Sequence, residues 1–203
     1  TYATDSLIKN RKFFVMYGQT EATARISYMP HENCLNKLGS IGIAIPNGKL
    51  TLIDDESNII NESNKTGELV YEWPNVSLGY AESRNDLDLG DQNNGKLFTG
   101  DLATKDEDGY FYIVGRKKRF IKLFGNRTNL DEIEELLKSD AIDCACTGKD
   151  DNLRVYITDS TIDINDLKKK ISIKLKIHHS VINILYIEDI PKNTSGKINY
   201  QLL

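Results

Sequence analysis

The stretch VMYGQTEA, residues 15–22, ends an apolar run with a tyrosine, a glycine, a hydroxyl and a carboxylate within five positions. Those side chains suit a nucleotide. The Tyr17 ring can stack on a flat base, Gly18 lets backbone come close, the Thr20 hydroxyl can bond a phosphate oxygen, and Glu21 can hold Mg²⁺. A continuous apolar strand is expected in a sheet covered on both faces, with ligands outside its carboxyl end. A strand-to-helix turn with Thr20 as N-cap accounts for the same residues. Further along, Asp101 in TGD is a carboxylate able to accept two O–H donors, and equally a turn former. The run RKKR, residues 116–119, reads on charge alone as a solvated basic patch or a localisation signal. Lys197 ends the polar loop KNTSGK as a long-armed point charge, or as a solvated lysine in a fraying tail.

Composition bounds what such residues can serve. At 203 residues and 39% apolar, the chain can bury one generous core or two small ones. A formal net charge of -4 draws it to neither a phosphate backbone nor an anionic membrane, so nucleic acid is not an expected partner. No run of 18 apolar residues exists, and the start TYATDSLIKNRK lacks a signal peptide's apolar core; no transmembrane segment and a cytoplasmic location are expected. A start without Met suggests a chain cut from something longer. Cys34, Cys144 and Cys146 are odd in number, and CAC is one residue short of CxxC, so all three are expected to be reduced structural thiols.

Two styles of sequence must position the candidates. Up to about residue 115 the chain reads as short strands between turns: FFVMY, KLTLID, TGELVYE, KLFTG and GYFYIVG. Beyond it, NLDEIEELLK places Leu130, Ile133, Leu136 and Leu137 on one helical face, with Asn129 as cap and acids in the first turn. DINDLKKKISIKLKI carries a second stripe, Ile164, Leu167, Ile171 and Leu175. Strands AIDCACT, LRVYIT and VINILYI surround these helices, giving a small α+β domain with a boundary near GRKKR. GDQNNGKL, residues 90–97, fits P-loop spacing, but Leu97 replaces the Mg²⁺-binding Ser or Thr and no apolar strand precedes Gly90; it reads as a polar surface loop. His178 and His179 are adjacent, so they cannot share a helix face as metal ligands would.

Five stretches occur in order: YGQTE (17–21), GELVYEWPNVSLGY (67–80), LFTGDLA (97–103), GRKKRFIKLFGNRTNLDEIE (115–134) and IPKNTSGKI (190–198). Each alone is weak; together, over nearly the whole chain, they resemble the adenylate-forming superfamily of acyl-CoA synthetases, peptide-synthetase adenylation domains and luciferases. The resemblance implies mixed α/β and α+β architecture. Residues 1–115 would be the β-rich end of a large N-terminal AMP-binding domain, and residues 116–203 a small mobile C-terminal domain. The phosphate-cradling loop that members carry upstream, and most of the acyl pocket, are not in this sequence, so inability to form an adenylate alone is expected.

The implied reaction joins a carboxylate to the α-phosphate of ATP, releasing pyrophosphate, and then passes the acyl group to a thiol. By resemblance Tyr17 stacks on adenine, Thr20 touches the α-phosphate, Glu21 binds Mg²⁺ and Asp101 accepts the ribose hydroxyls. Arg116 reaches the ribose and phosphate region, Lys118 is the hinge, Gly125 admits the pantetheine arm beside a plain left-handed-turn role, and Arg127 could meet a phosphate. Lys197 bridges the attacking carboxylate and the α-phosphate. The implied cofactors and partners are ATP/AMP, Mg²⁺, a carboxylic acid, and coenzyme A or a pantetheinyl carrier protein; a noncatalytic binding module is the reading from another class. Departures are Trp73 for a frequent Gly, KIHHSV for a longer Pro-containing segment, and Tyr200 for an Arg that often follows GKI.

Overall fold

The computed structural model describes residues 2–9 and 11–203, which form two compact units, Thr1–Lys117 and Lys118–Leu203. In the first unit, helix α1 (Tyr2–Ile8) precedes a small antiparallel sheet of β1 (Met16–Tyr17), β2 (Ser27–Tyr28) and β3 (Ile43–Ala44), in that order. A five-stranded antiparallel sheet follows, built from β4 (Lys49–Ile53), β5 (Ile59–Ile60), β6 (Gly67–Glu72), β7 (Lys96–Lys105) and β8 (Phe111–Arg116) in the order β5-β4-β6-β7-β8. Backbone bonds from Ile41 N–H to Phe111 O, 2.9 Å, and from Phe111 N–H to Gly42 O, 3.0 Å, stitch the two sheets together at β8.

The apolar run FFVMY differs from the sequence expectation. Only Met16 and Tyr17 pair, and only with β2, so the strand is a sheet edge. Burial alternates along it: Phe13, Val15 and Tyr17 are half-buried, whereas Phe14 and Met16 are each 45% exposed. Period-two geometry sends successive side chains to opposite faces, and only one face meets the cluster of Ala3, Met29 and Cys34.

In the second unit a hairpin of β9 (Phe120–Leu123) and β10 (Asn126–Asn129) leads into α2 (Leu130–Ser139). Then come β11 (Cys144–Lys149), β12 (Asn152–Ile157), α3 (Ile164–Leu175) and β13 (Ile182–Tyr186), the sheet order being β11-β12-β13. The β12 and β13 strands are parallel, as a helical crossover requires. Helix α2 starts where its sequence says: the Asn129 side chain accepts from Asp131 N–H. Asp163 caps α3 in the same way, through Asn165 and Asp166 N–H. Ile133, Leu137, Leu167 and Ile171 lock both helices onto Leu123, Cys144, Cys146 and Val155. The three thiols are free and buried, as expected. Among the described residues no helix is long and apolar enough to cross a membrane.

Ile133 is fully buried in that cluster. Ile133→Ala is expected to lower stability by about 2–5 kcal/mol, and Asn129→Ala by about 1 kcal/mol, in urea unfolding followed by far-ultraviolet circular dichroism.

Candidate functional site

Strand β7 carries Asp101 into the first unit with 4% of its surface exposed. It lies on a strand, so the turn-former reading is set aside. A carboxylate this deep needs donors, and the fold brings them from two places. Arg116 stands opposite it in the β7–β8 register, and its Nε lies 2.7 Å from Asp101 Oδ1. The Tyr17 hydroxyl at the end of β1, 84 residues away in sequence, donates to Asp101 Oδ2 at 2.5 Å. Gln19 Nε2 donates to the same oxygen at 3.0 Å, to Tyr17 Oη at 3.1 Å and to Thr99 O at 3.0 Å. Below, Thr99 Oγ1 accepts from Asp101 N–H at 3.1 Å and donates to Leu69 O at 2.7 Å, tying Asp101 to β6.

Burial and the Asp101 carboxylate raise the Tyr17 hydroxyl above the ordinary tyrosine range, so it remains a donor at neutral pH. Its ring packs half-buried against Leu52, Leu69, Tyr71 and Val76. Gly18 is needed for close approach: a Cβ there would sit 2.8 Å from Ala24 O. Thr20 is exposed, and no helix follows it, so the capping alternative does not hold. Its carbonyl accepts from Thr23 Oγ1 at 2.9 Å. The Glu21 carboxylate accepts from the Tyr80 hydroxyl, which, with its own backbone amide, holds it below the usual carboxylate range. Arg116 adds to that lowering. No group of three His, Cys, Asp or Glu side chains able to hold a metal exists among the described residues. One ionised carboxylate nonetheless fits the habit of Mg²⁺, which takes one or two carboxylates plus substrate phosphates and water.

Gln19, Thr99 and Tyr80 are partners the sequence reading missed. All three lie inside stretches singled out there, but nothing in their type distinguishes them from surface polar residues. The GDQNNGKL segment is a turn built on Asp91, whose Oδ1 accepts from Asn93 and Asn94 N–H, and it feeds β7 as a surface loop.

The remaining candidates belong to the second unit. Lys118 is its first residue and is exposed. Gly125 has φ of +80° beside Phe124 at +50°, closing the β9–β10 hairpin, and an added Cβ would meet nothing within 4 Å; the left-handed turn accounts for it. The exposed Arg127 guanidinium lies 4.7 Å from the Phe120 ring centroid. Lys197 is exposed at the end of a turn tighter than a fraying tail: Asn193 N–H donates to Lys197 O at 2.8 Å, and Asn193 Oδ1 accepts from Lys197 N–H at 3.0 Å. His178 and His179 are exposed outside α3, the Nδ1 of His178 lying 2.9 Å from Ser180 Oγ.

A family model described as AMP-binding enzyme matches residues 4–81. The 4-coumarate–CoA ligase-like 4 protein of Oryza sativa subsp. japonica is 30% identical over 192 residues, 90% of this chain and 35% of that protein. A long-chain-fatty-acid–CoA ligase of Salmonella typhimurium is 38% identical over 121 residues, 60% of this chain and 21% of that one. Among solved structures, O-succinylbenzoate coenzyme A synthetase of Bacillus subtilis in complex with AMP shares the fold at a TM-score of 0.71 and 24% identity, over 97% of this chain and 41% of that one. The chain thus spans about a third of the length of the 4-coumarate–CoA ligase-like protein and less of the fatty-acid ligase.

The Tyr17–Asp101 bond has a pH signature. A folded-state value above the unfolded one means stabilisation that is complete below the ordinary tyrosine value, 10.0, and lost as pH rises through the higher folded value. In ultraviolet difference titration, the phenol absent from Tyr17→Phe is expected to ionise above the free-tyrosine range, and Asp101→Asn to bring it down towards that range.

Proposed function

We propose that this chain, which belongs to the adenylate-forming superfamily, is the C-terminal part of an AMP-forming acyl-CoA ligase that activates a carboxylic acid with ATP and transfers the acyl group to coenzyme A. The observation that carries the reading is the convergence of Tyr17, from the far end of the unit's sequence, and Arg116, from the neighbouring strand, on the buried Asp101 carboxylate. The names of the relatives support coenzyme A as acceptor, since the curated proteins compared are CoA ligases.

In this reading the two ribose hydroxyls replace Tyr17 and Gln19 as donors to Asp101, and the freed Tyr17 ring lies along the adenine. Arg116, its side chain 60% exposed, turns its remaining N–H groups to the phosphates. The Thr20 hydroxyl meets the α-phosphate. Glu21, ionised at neutral pH, would hold Mg²⁺, which neutralises phosphate charge when bound. The Lys197 ammonium stands between the attacking carboxylate and the α-phosphate, where charge builds as the new bond forms. Lys118 takes up the backbone rotation that brings and removes Lys197 between the two half-reactions. Gly125 and Arg127 then lie along the pantetheine arm and its phosphates.

The test is carboxylate-dependent exchange of pyrophosphate into ATP, across a panel of acids, in the protein with its upstream coding region restored. Lys197→Ala is expected to lower the exchange rate about 10²-fold or more, with little change in KM for ATP. Asp101→Asn is expected to raise KM for ATP instead. No exchange with any acid in a folded protein that binds ATP would overturn the reading.

A further inference from the structure

The second unit buries its own carboxylate, and nothing in the proposed chemistry uses it. Glu134, on α2, is 4% exposed. Its Oε1 accepts from Arg119 Nη2 at 2.6 Å and from Cys146 N–H at 2.7 Å. Its Oε2 accepts from the Tyr200 hydroxyl at 3.0 Å, while Lys138 Nζ lies 3.9 Å off on a half-exposed side chain. Arg119 is itself enclosed, its side chain 11% exposed. Its Nε donates to Asp131 at 2.6 Å, its Nη1 donates to Cys146 O at 2.7 Å, and its guanidinium lies 3.9 Å from the Tyr200 ring centroid.

The chain positions of these three residues give the cluster its meaning. Arg119 follows Lys118 directly, and Tyr200 is three residues after Lys197. Tyr200 also stands where the superfamily often has an arginine, so here the tail offers Glu134 a hydroxyl and an aromatic face but no charge. The cation comes instead from Arg119, at the opposite end of the unit's sequence. The tail's other ties do not touch residues 118 or 119: the Lys192–Ile198 bridge, Asn199 N–H to Pro191 O at 2.8 Å, and Tyr156 Oη to Leu203 O at 2.5 Å.

We propose that Arg119, Glu134 and Tyr200 form a positioning junction that couples the backbone beside Lys118 to the segment bearing Lys197, so that the lysine's placement follows the backbone at the start of the unit. The functional meaning rests on the roles proposed above for Lys118 and Lys197; the coupling itself does not. Both ends of the junction act on one buried charge, and a coupling through it runs equally in both directions, as reciprocal linkage demands.

Amide hydrogen exchange on the 203-residue chain tests this. Tyr200→Phe keeps the ring over Arg119 and removes only the hydroxyl. It is expected to speed exchange in residues 117–121 about tenfold, the effect of one lost hydrogen bond to a charged group. Arg119→Lys keeps the charge and removes the fork, and is expected to speed exchange in residues 193–199 to a similar degree. A side chain that merely fills space near the tail would change exchange only in its own segment. Acceleration confined to the substituted segment, at an unchanged melting temperature, overturns the proposal. Should Arg119→Lys unfold the chain, Tyr200→Phe decides alone. A Lys197→Ala protein that retains pyrophosphate exchange would overturn the role of Lys197 and leave the exchange result standing.

Discussion

A carboxylate removed from water must be surrounded by donors or give up its charge, and the first unit is arranged around satisfying Asp101. Its donors come from two elements, β8 and the end of β1. Arg116 is fixed by the β7–β8 register, Tyr17 and Gln19 by the end of β1, and the backbone beneath by Thr99 bonded across to β6. A one-residue slip of β7 would send Asp101 to the opposite face and leave all these donors unmatched. The chain controls that register locally. Gly100, at φ +69°, and the irregularity between Leu102 and Ala103 bend β7 where Asp101 must turn towards β1.

The second unit solves the same problem around Glu134, and the two solutions differ in kind. Three side-chain donors hold Asp101, Arg116 among them is largely exposed, and in the proposed reading ligand hydroxyls take the places of Tyr17 and Gln19. Glu134 is held partly by the Cys146 backbone amide, under a sheet, with a guanidinium that is itself pinned at three further points. Breaking such a buried pair by removing one partner costs on the order of 3–5 kcal/mol. An exchangeable shell suits a carboxylate that receives a ligand. A closed one suits a carboxylate that transmits position.

The sequence made these parts legible to different degrees. Helices α2 and α3 could be read almost to the residue, because their 3.6-residue stripes coincide with side-chain caps at Asn129 and Asp163. The β4, β6, β7 and β8 strands were marked by flanking turn residues. FFVMY was misleading because five apolar residues look continuous, while burial on each face depends on what the strand pairs with; here one face meets the core and the other leaves Phe14 and Met16 nearly half exposed. Of the site, Tyr17, Asp101 and Arg116 were visible through the motif order and do meet. Gln19, Thr99 and Tyr80 were not, since a glutamine, a threonine and a tyrosine acquire meaning only from long-range contacts. Glu134 sat inside a quoted motif and still read as an ordinary helix acid, because α2's stripe identifies apolar positions and is silent about a buried charge.

The ligand-free arrangement around Asp101 bears on how a diol could bind there. In a pocket left empty, a buried carboxylate would face the full cost of unmet acceptors, and that cost would be released on binding. Here Tyr17 and Gln19 already occupy Oδ2 and Arg116 occupies Oδ1, so an incoming pair of hydroxyls exchanges one set of donors for another. The net gain from such an exchange is small, because hydrogen bonds are traded at near parity. In the proposed reading the rest of the affinity comes from stacking on the released Tyr17 ring and from the charge of Arg116 on the phosphates. In the proposed reading Asp101 discriminates for ligands that carry both hydroxyls, since a ligand lacking them cannot displace the donors without leaving a buried acceptor unsatisfied.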